Sequence, residues 1–188
     1  MPELTEEDAR RYDRQIRLWG VSAQRRLASS TVLLIHCSPL TVEIAKNLAL
    51  AGCACIRLLC TSVFTYHDMQ STYCGTDADI GSSFAMVLSR YLSELNPSVK
   101  SECFTQEVAK LDDNEFSTIL SNVDLVVISE PSAQVLKRVE SRVIGKGIPI
   151  MACACFGRWA YMAHHLGHEY TYTTYDTLFL NCTYNVVK

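Results

Sequence analysis

A strand running into a helix is where α/β proteins do their phosphate chemistry, and this sequence has one such junction at residues 31–51. The apolar run Thr31–Ile35 (TVLLI) has strand length, and residues 42–51 carry the spacing of an amphipathic helix closed by Gly52. Nucleotide binders place glycines between two such elements, so that backbone amides can approach phosphate at the helix N-terminus. Here the turn reads His36-Cys37-Ser38-Pro39-Leu40-Thr41. It holds no glycine, Pro39 has no N–H to donate, and Leu40 and Thr41 put side chains where phosphate would lie. The acid expected after the second strand, which grips ribose hydroxyls, is replaced by Cys60-Thr61-Ser62. Both features argue against ATP, NAD or FAD binding at this junction.

Other residues with chemical potential are weaker. Arg10, Arg14 and Arg17 recur at i, i+4 and i+7, which reads as one solvated basic helix face. Arg14 would also suit phosphate, because a guanidinium stays charged and grips oxygens with a planar fork. His164, His165 and His168 lack the order of a metalloprotease helix and fall in a segment that reads as a strand, so no metal site is expected. None of the nine cysteines forms a CxxC pair. Cys53, Cys55, Cys60, Cys153 and Cys155 sit in apolar runs and read as small buried hydrophobes, while Cys74 and Cys182 fall in polar loops. Tyr66, Tyr73, Trp159, Tyr161, Tyr170, Tyr172 and Tyr175 read as buried in a sheet or against a partner. A nucleic-acid stacking platform would need a basic frame that is missing.

The elements that position these residues repeat. A capped helix from Thr5 to about Trp19 ends at Gly20, and a short one follows to Leu27. After the strand at Thr31 come strands at residues 55–60, 99–104, 124–129 and 148–155, alternating with helices near 42–51, 82–95, 112–120 and 132–144. Strands apolar throughout, separated by helices, mean a mostly parallel sheet covered on both faces. The expected fold is therefore α/β, Rossmann-like and doubly wound, with an N-terminal helical extension. A C-terminal hairpin is expected around Gly167, between residues 159–166 and 169–175. Residues 1–175 form one domain, and 176–188 read as an irregular tail of a shortened C-terminal region.

Composition agrees with a folded domain: 48% of residues are hydrophobic, 20% are charged, and the net charge is −3. That charge gives no broad basic surface for nucleic acid. No apolar run approaches the roughly 20 residues of a membrane span. The acidic, polar start is unlike a secretory signal, so a nuclear or cytoplasmic location is expected.

Tyr12-Asp13-Arg14-Gln15-Ile16-Arg17-Leu18-Trp19-Gly20, continued by Ser22-Ala23-Gln24-Arg25-Arg26-Leu27, resembles the opening motif of the smaller subunits of enzymes that activate ubiquitin-like proteins. Glu43-Ile44-Ala45-Lys46-Asn47-Leu48, Gly52, Ile80-Gly81, Leu95-Asn96-Pro97 and Phe156-Gly157 follow at that family's spacing. The small subunits that serve SUMO are nearest in pattern, and those serving the cullin-modifying protein come next. The resemblance implies a pseudo-symmetric heterodimer whose catalytic partner subunit holds ATP and Mg²⁺ and carries the thioester cysteine. This chain would be the degenerate half, with no catalytic residue and no cofactor of its own. Its pseudo-adenylation domain would supply Arg14 across the interface to the partner's ATP. The family's glycine positions fall on His36, Pro39 and Thr41, its strand-two acid on Cys60, its basic pair on Ser82 and Phe84, and its metal-holding aspartate near Ser129 and Glu130. A stand-alone adenylating enzyme for a sulfur carrier, or a paralogue acting only as a binding module, are the alternatives.

Overall fold

The computed structural model describes residues 4–166, 169–176 and 179–187, the last two segments through their backbone alone. Thr5 caps α1 (Glu6–Arg11) by accepting from the Asp8 amide, and Asp8 returns a bond to the Thr5 amide. The single helix expected to Trp19 is broken at Tyr12, whose ring turns inward and is buried. A second helix, α2 (Asp13–Leu27), is kinked at Gly20, where φ is 84° and ψ 162°. Arg10 and Arg14 therefore lie on different helices rather than on one continuous face.

The repeating unit then runs β1 (Thr31–Ile35), α3 (Pro39–Ala51), β2 (Cys55–Leu59), a short α4 (Tyr66–Ser71), α5 (Phe84–Leu95), β3 (Lys100–Phe104), α6 (Asp113–Ile119), β4 (Leu125–Ser129), α7 (Ala133–Val143) and β5 (Ile150–Phe156). β6 (Trp159–His165), β7 (Glu169–Asp176) and β8 (Phe179–Val187) complete the order. Six strands make one sheet in the order β3-β2-β1-β4-β5-β6, parallel except for β6. This is the expected doubly wound arrangement, with its order reversing between β1 and β4.

Alternate residues explain why the strands read as unbroken apolar runs. Val32 and Leu34 of β1 enter the core beneath α3 and α5, whereas Leu33 and Ile35 enter the core beneath α6 and α7. β4 divides likewise, Val127 to the first core and Val126 and Ile128 to the second. The one charge in β2, Arg57, pairs with Glu102 at 2.7 Å and donates to the carbonyls of Ile119 and Ser121.

At the C-terminal end the pairing differs from expectation. β6 folds back on β5, from Phe156↔Trp159 to Ile150↔His165, because Gly157 (φ 61°) permits a tight turn there. β7 pairs instead with β8, so Phe179–Val187 is a strand and not an irregular tail. That segment is rich in aromatic and β-branched residues, which favour a strand even without clean alternation. Gly167, the expected turn, and His168 lie outside the described residues. Among the described residues no helix is long and apolar enough to cross a membrane.

Candidate functional site

The reversal between β1 and β4 opens a crevice at the carboxyl ends of the strands, with a cavity of about 350 Å³. Its geometry shows what replaced the glycines. β1 ends at His36, held at φ 70°, and β4 ends before Glu130, held at φ 51°. Such left-handed conformations are uncommon for residues with a Cβ. The two side chains face each other across the crevice, with His36 Nε2 3.9 Å from Glu130 Oε2.

Helix α3 starts three residues earlier than its periodicity suggests, with Ser38 as N-cap and Pro39 in its first turn. The Thr41 amide donates to Ser38 Oγ at 3.4 Å, and the Ser38 amide donates to Thr41 Oγ1 at 3.2 Å. Thr41 Oγ1 donates in turn to the His36 carbonyl at 2.9 Å. Both side chains are buried, Thr41 completely. The helix end that would cradle phosphate is thus closed by its own side chains. Nor do the remaining positions fit a nucleotide and its metal. Phe84 is a core residue packed edge-on against Phe64, with ring centroids 5.1 Å apart, so no cation stands there. Ser129 is buried, and Glu130 is occupied by His36.

Cys60 departs from the reading of an inert hydrophobe. It is buried, yet its sulfur lies 2.9 Å from Ser62 Oγ. The neighbouring Cys37 thiol foremost, together with Ser62, outweighs burial and lowers its pKa to about 6. The Cys37 thiol, beside Cys60 and desolvated, is raised well above its ordinary value. Cys53 shows the usual fate of a buried thiol, pushed up to about 12 by desolvation. Two further expectations are corrected. Cys74 is buried rather than in an open polar loop, and Cys155 is exposed because it stands near the turn at the end of β5. The Cys182 side chain, with those of Tyr170, Tyr172 and Tyr175, lies outside the described residues.

The N-terminal motif is brought to the far end of α3. The last carbonyls of a helix have no partner within it; here three remote side chains supply one. Asn96 Nδ2 donates to the Ala49 carbonyl at 2.8 Å, Gln15 Nε2 to Leu50 at 3.3 Å, and Gln24 Nε2 to Ala51 at 2.9 Å. Trp19 Nε1 holds the buried Gln24 from behind at 2.9 Å. Asn96 also donates to the Tyr12 hydroxyl at 2.9 Å and accepts from Arg11. The hydroxyl end of the Tyr12 ring lies against Gly52, which caps α3 in the left-handed conformation (φ 85°) and has no room for a Cβ. Residues that the sequence pattern marks separately, Tyr12, Gln15, Gly52 and Asn96, are therefore one assembly.

Arg14 lies in the first turn of α2, between the anchor residues Tyr12 and Gln15. Its side chain is exposed and makes no hydrogen bond or ion pair among the described residues, whereas Arg17 pairs with Asp13 at 3.0 Å and Arg11 with Glu7 at 2.9 Å. The histidines do not converge: His164 and His165 are neighbours on β6, and a strand sends neighbours to opposite faces. Tyr66, Tyr73, Trp159 and Tyr161, expected to be buried in the sheet or against a partner, are not buried in the sheet and are exposed on this chain; Trp159 and Tyr161 lie on β6, an edge strand of the sheet.

A doubly wound domain whose first crossover helix is capped at its start by its own side chains and locked at its end to the N-terminal helices defines a Rossmann-type α/β scaffold. The chain belongs to the ThiF family, whose profile matches residues 12–183. It is 34% identical over 168 residues to SUMO-activating enzyme subunit 1 of Xenopus tropicalis, and 35% over 170 residues to that of Danio rerio. These alignments cover 89% and 90% of the chain but 47% of each relative. The DNA damage tolerance protein rad31 of Schizosaccharomyces pombe is 32% identical, over 84% of the chain and 50% of that protein. The chain thus spans about half the length of the curated relatives it matches. Among solved structures, PaaA superposes with a TM-score of 0.78 at 17% identity, over 88% of this chain and 57% of that one. Escherichia coli MccB with succinimide gives 0.73 at 16%, over 84% and 49%. At those identities the structures speak for the fold alone.

Proposed function

We propose that this chain is the non-adenylating subunit of a heterodimeric enzyme that activates a ubiquitin-like modifier, with SUMO as the modifier. The observation that carries the proposal is the self-capped start of α3, which leaves no amide cradle where a ThiF-type domain would hold phosphate. ATP and Mg²⁺ are then the business of a catalytic partner subunit, in the nucleus or cytoplasm. This chain contributes structure and one cation. Arg14 supports that second role, being exposed and unpaired on a helix whose position is fixed by the Tyr12, Gln15 and Gln24 anchors. The exposed Phe156, Trp159 and Met162 along the β5–β6 edge give apolar surface suited to a partner protein.

The test is reconstitution with the catalytic subunit of a SUMO-activating enzyme, read by ATP–pyrophosphate exchange. Arg14→Ala should leave pairing intact and slow exchange by on the order of a hundredfold, the typical loss when one preorganised cation is removed from a reacting triphosphate. Arg14→Lys should restore part of the rate, since an ammonium keeps charge without the fork. Arg10→Ala, on α1, should have no effect. Equal rates for Arg14→Ala and Arg10→Ala would remove the arginine role and leave a scaffold, while failure to bind the catalytic subunit at all would overturn the proposal.

A further inference from the structure

Sulfur recurs at every second position of β5, at Met151, Cys153 and Cys155. A strand sends alternate side chains to one face. Burial agrees: Cys153 belongs to the core beneath α3 and α5 and Met151 packs against that core, whereas Ile150 enters the one beneath α6 and α7. β6 adds a fourth sulfur to the same face. In the antiparallel register Met162 stands directly opposite Cys153 and Ala160 opposite Cys155. Side chains so paired begin about 4.5–5.5 Å apart. β5 turns straight back into β6 with no helix between them, so this flank of the sheet is left as a cavity of about 520 Å³ beside α3. Leu40, Ile44 and Leu48 of α3 and Leu125 and Val127 of β4 wall it, and all four sulfur residues line it.

We propose that Met151, Cys153 and Met162 form a copper(I) site, with Cys153 as its thiolate and the two methionines as thioether ligands. Soft thiolate and thioether donors select copper(I), whereas oxygen donors suit hard ions. Among the described residues no three His, Cys, Asp or Glu side chains converge on a metal position. The face therefore lacks the thiolate and imidazole set that holds zinc, and the thioethers decide the choice of ion. As the copper–sulfur bond forms, the Cys153 thiol gives its proton to solvent and no electron is transferred. One Cu⁺ and one thiolate make a neutral unit, which an apolar cavity accepts without the penalty of a bare charge.

Side-chain reach assigns the roles. Cys153 is short and buried, with its Sγ 3.7 Å from the Ile128 carbonyl, so it fixes the ion close to the sheet. Met151 begins about 6.8 Å back along the strand. Met151 and the exposed Met162 each have three rotatable bonds and a polarizable sulfur, enough to bring both thioethers over Cys153. Cys155 lies as far along β5 in the other direction, and its short side chain does not share an ion held between Met151 and Cys153. Being exposed, it is the first thiol that an arriving copper complex meets at the rim of the cavity. His164 shares the face, opposite Met151, but stands outside the cavity lining.

The experiment titrates the whole 188-residue chain, reduced and free of oxygen, with copper(I) against the coloured chelator bicinchoninate. One equivalent should be held in competition with the chelator, and X-ray absorption should find sulfur alone around the copper. Met151→Leu and Met162→Leu conserve side-chain volume, so both variants should fold, as circular dichroism checks. Each should weaken copper binding at least tenfold, and Cys153→Ser should abolish it. Cys155→Ser should bind as tightly as the unaltered chain but load more slowly. Copper held equally well after both methionines are replaced would place it on thiols elsewhere and overturn the proposal. A nitrogen neighbour around the copper, or tighter binding of zinc(II) than of copper(I), would do the same.

Discussion

Gly52→Ala is the sharpest perturbation of the anchor that holds the N-terminal helices. Gly52 sits at φ 85°, and a Cβ there would lie 2.5 Å from Cζ and 2.6 Å from the hydroxyl oxygen of Tyr12. Left-handed backbone costs a residue with a Cβ about 1–2 kcal/mol. The overlap must be relieved by moving a ring that is buried and hydrogen-bonded to Asn96, at an overpacking cost of about 1–3 kcal/mol. Together these come to about 3 kcal/mol, which for a chain of this size lowers the thermal midpoint by about 10 °C. The assay is thermal and urea unfolding followed by far-UV circular dichroism, repeated in a Tyr12→Leu background. There the shorter side chain removes the overlap and leaves the backbone strain, so the same alanine should cost about 1–2 kcal/mol less. A midpoint shift under 2 °C, or equal costs in both backgrounds, would refute the reasoning that Gly52 is required by the approach of Tyr12.

Asn96→Ala should destabilise by about 3 kcal/mol, because the Ala49 carbonyl and the Tyr12 hydroxyl both lose a donor in a buried site; the urea midpoint measures it. Phe84→Arg, which puts back a basic residue where the family resemblance expects one, should cost about 5 kcal/mol or more, since it leaves an unpaired charge against Phe64 and the core. Loss of soluble expression, or of the cooperative transition, is the readout. Asp79 accepts from the Arg90 guanidinium at 2.7 Å and from the Thr76 amide, which together hold its carboxyl well below the usual range. Its contribution is therefore fully present above the unfolded carboxyl value of about 3.9 and is lost as pH falls through the lower folded value. Asp79→Asn should accordingly flatten the decline of the thermal midpoint below about pH 4, and an unchanged acid limb would count against it.

The strands and the crossover order were legible because both faces of the sheet are covered. A run such as LVVIS in β4 has to be apolar at every position when Val126 and Val127 feed different cores. That the turn between β1 and α3 carries no glycine was equally legible, being written in residues 36–41 themselves. What closes it was not, since Ser38 and Thr41 form a capping box without the acidic partner that usually marks one. The start of α3 was accordingly misplaced. The break at Tyr12 escaped detection because helical periodicity continues through it; only a buried ring betrays it. The hairpin partners were exchanged because two glycines, Gly157 and Gly167, both offered turns, and only the first is the one that folds β6 onto β5.

The two ends of α3 also differ in how freely their sequence can drift. At its start, Ser38 and Thr41 satisfy each other and need nothing from elsewhere, so neighbouring positions facing the crevice can change without consulting the rest of the chain. At its end, Ala49, Leu50 and Ala51 depend on Asn96, Gln15 and Gln24, which lie up to 81 positions apart. A change at Gln15 or Gln24 removes a donor that no nearby residue replaces, whereas the Ala49 carbonyl, on losing Asn96, keeps the Gly52 amide at 3.1 Å. Natural variation should accordingly be freer at His36 and Pro39, which are not buried, and sparse at 12, 15, 24, 52 and 96. A saturation library scored for folding would show a tolerant crevice and an intolerant anchor joined by one helix.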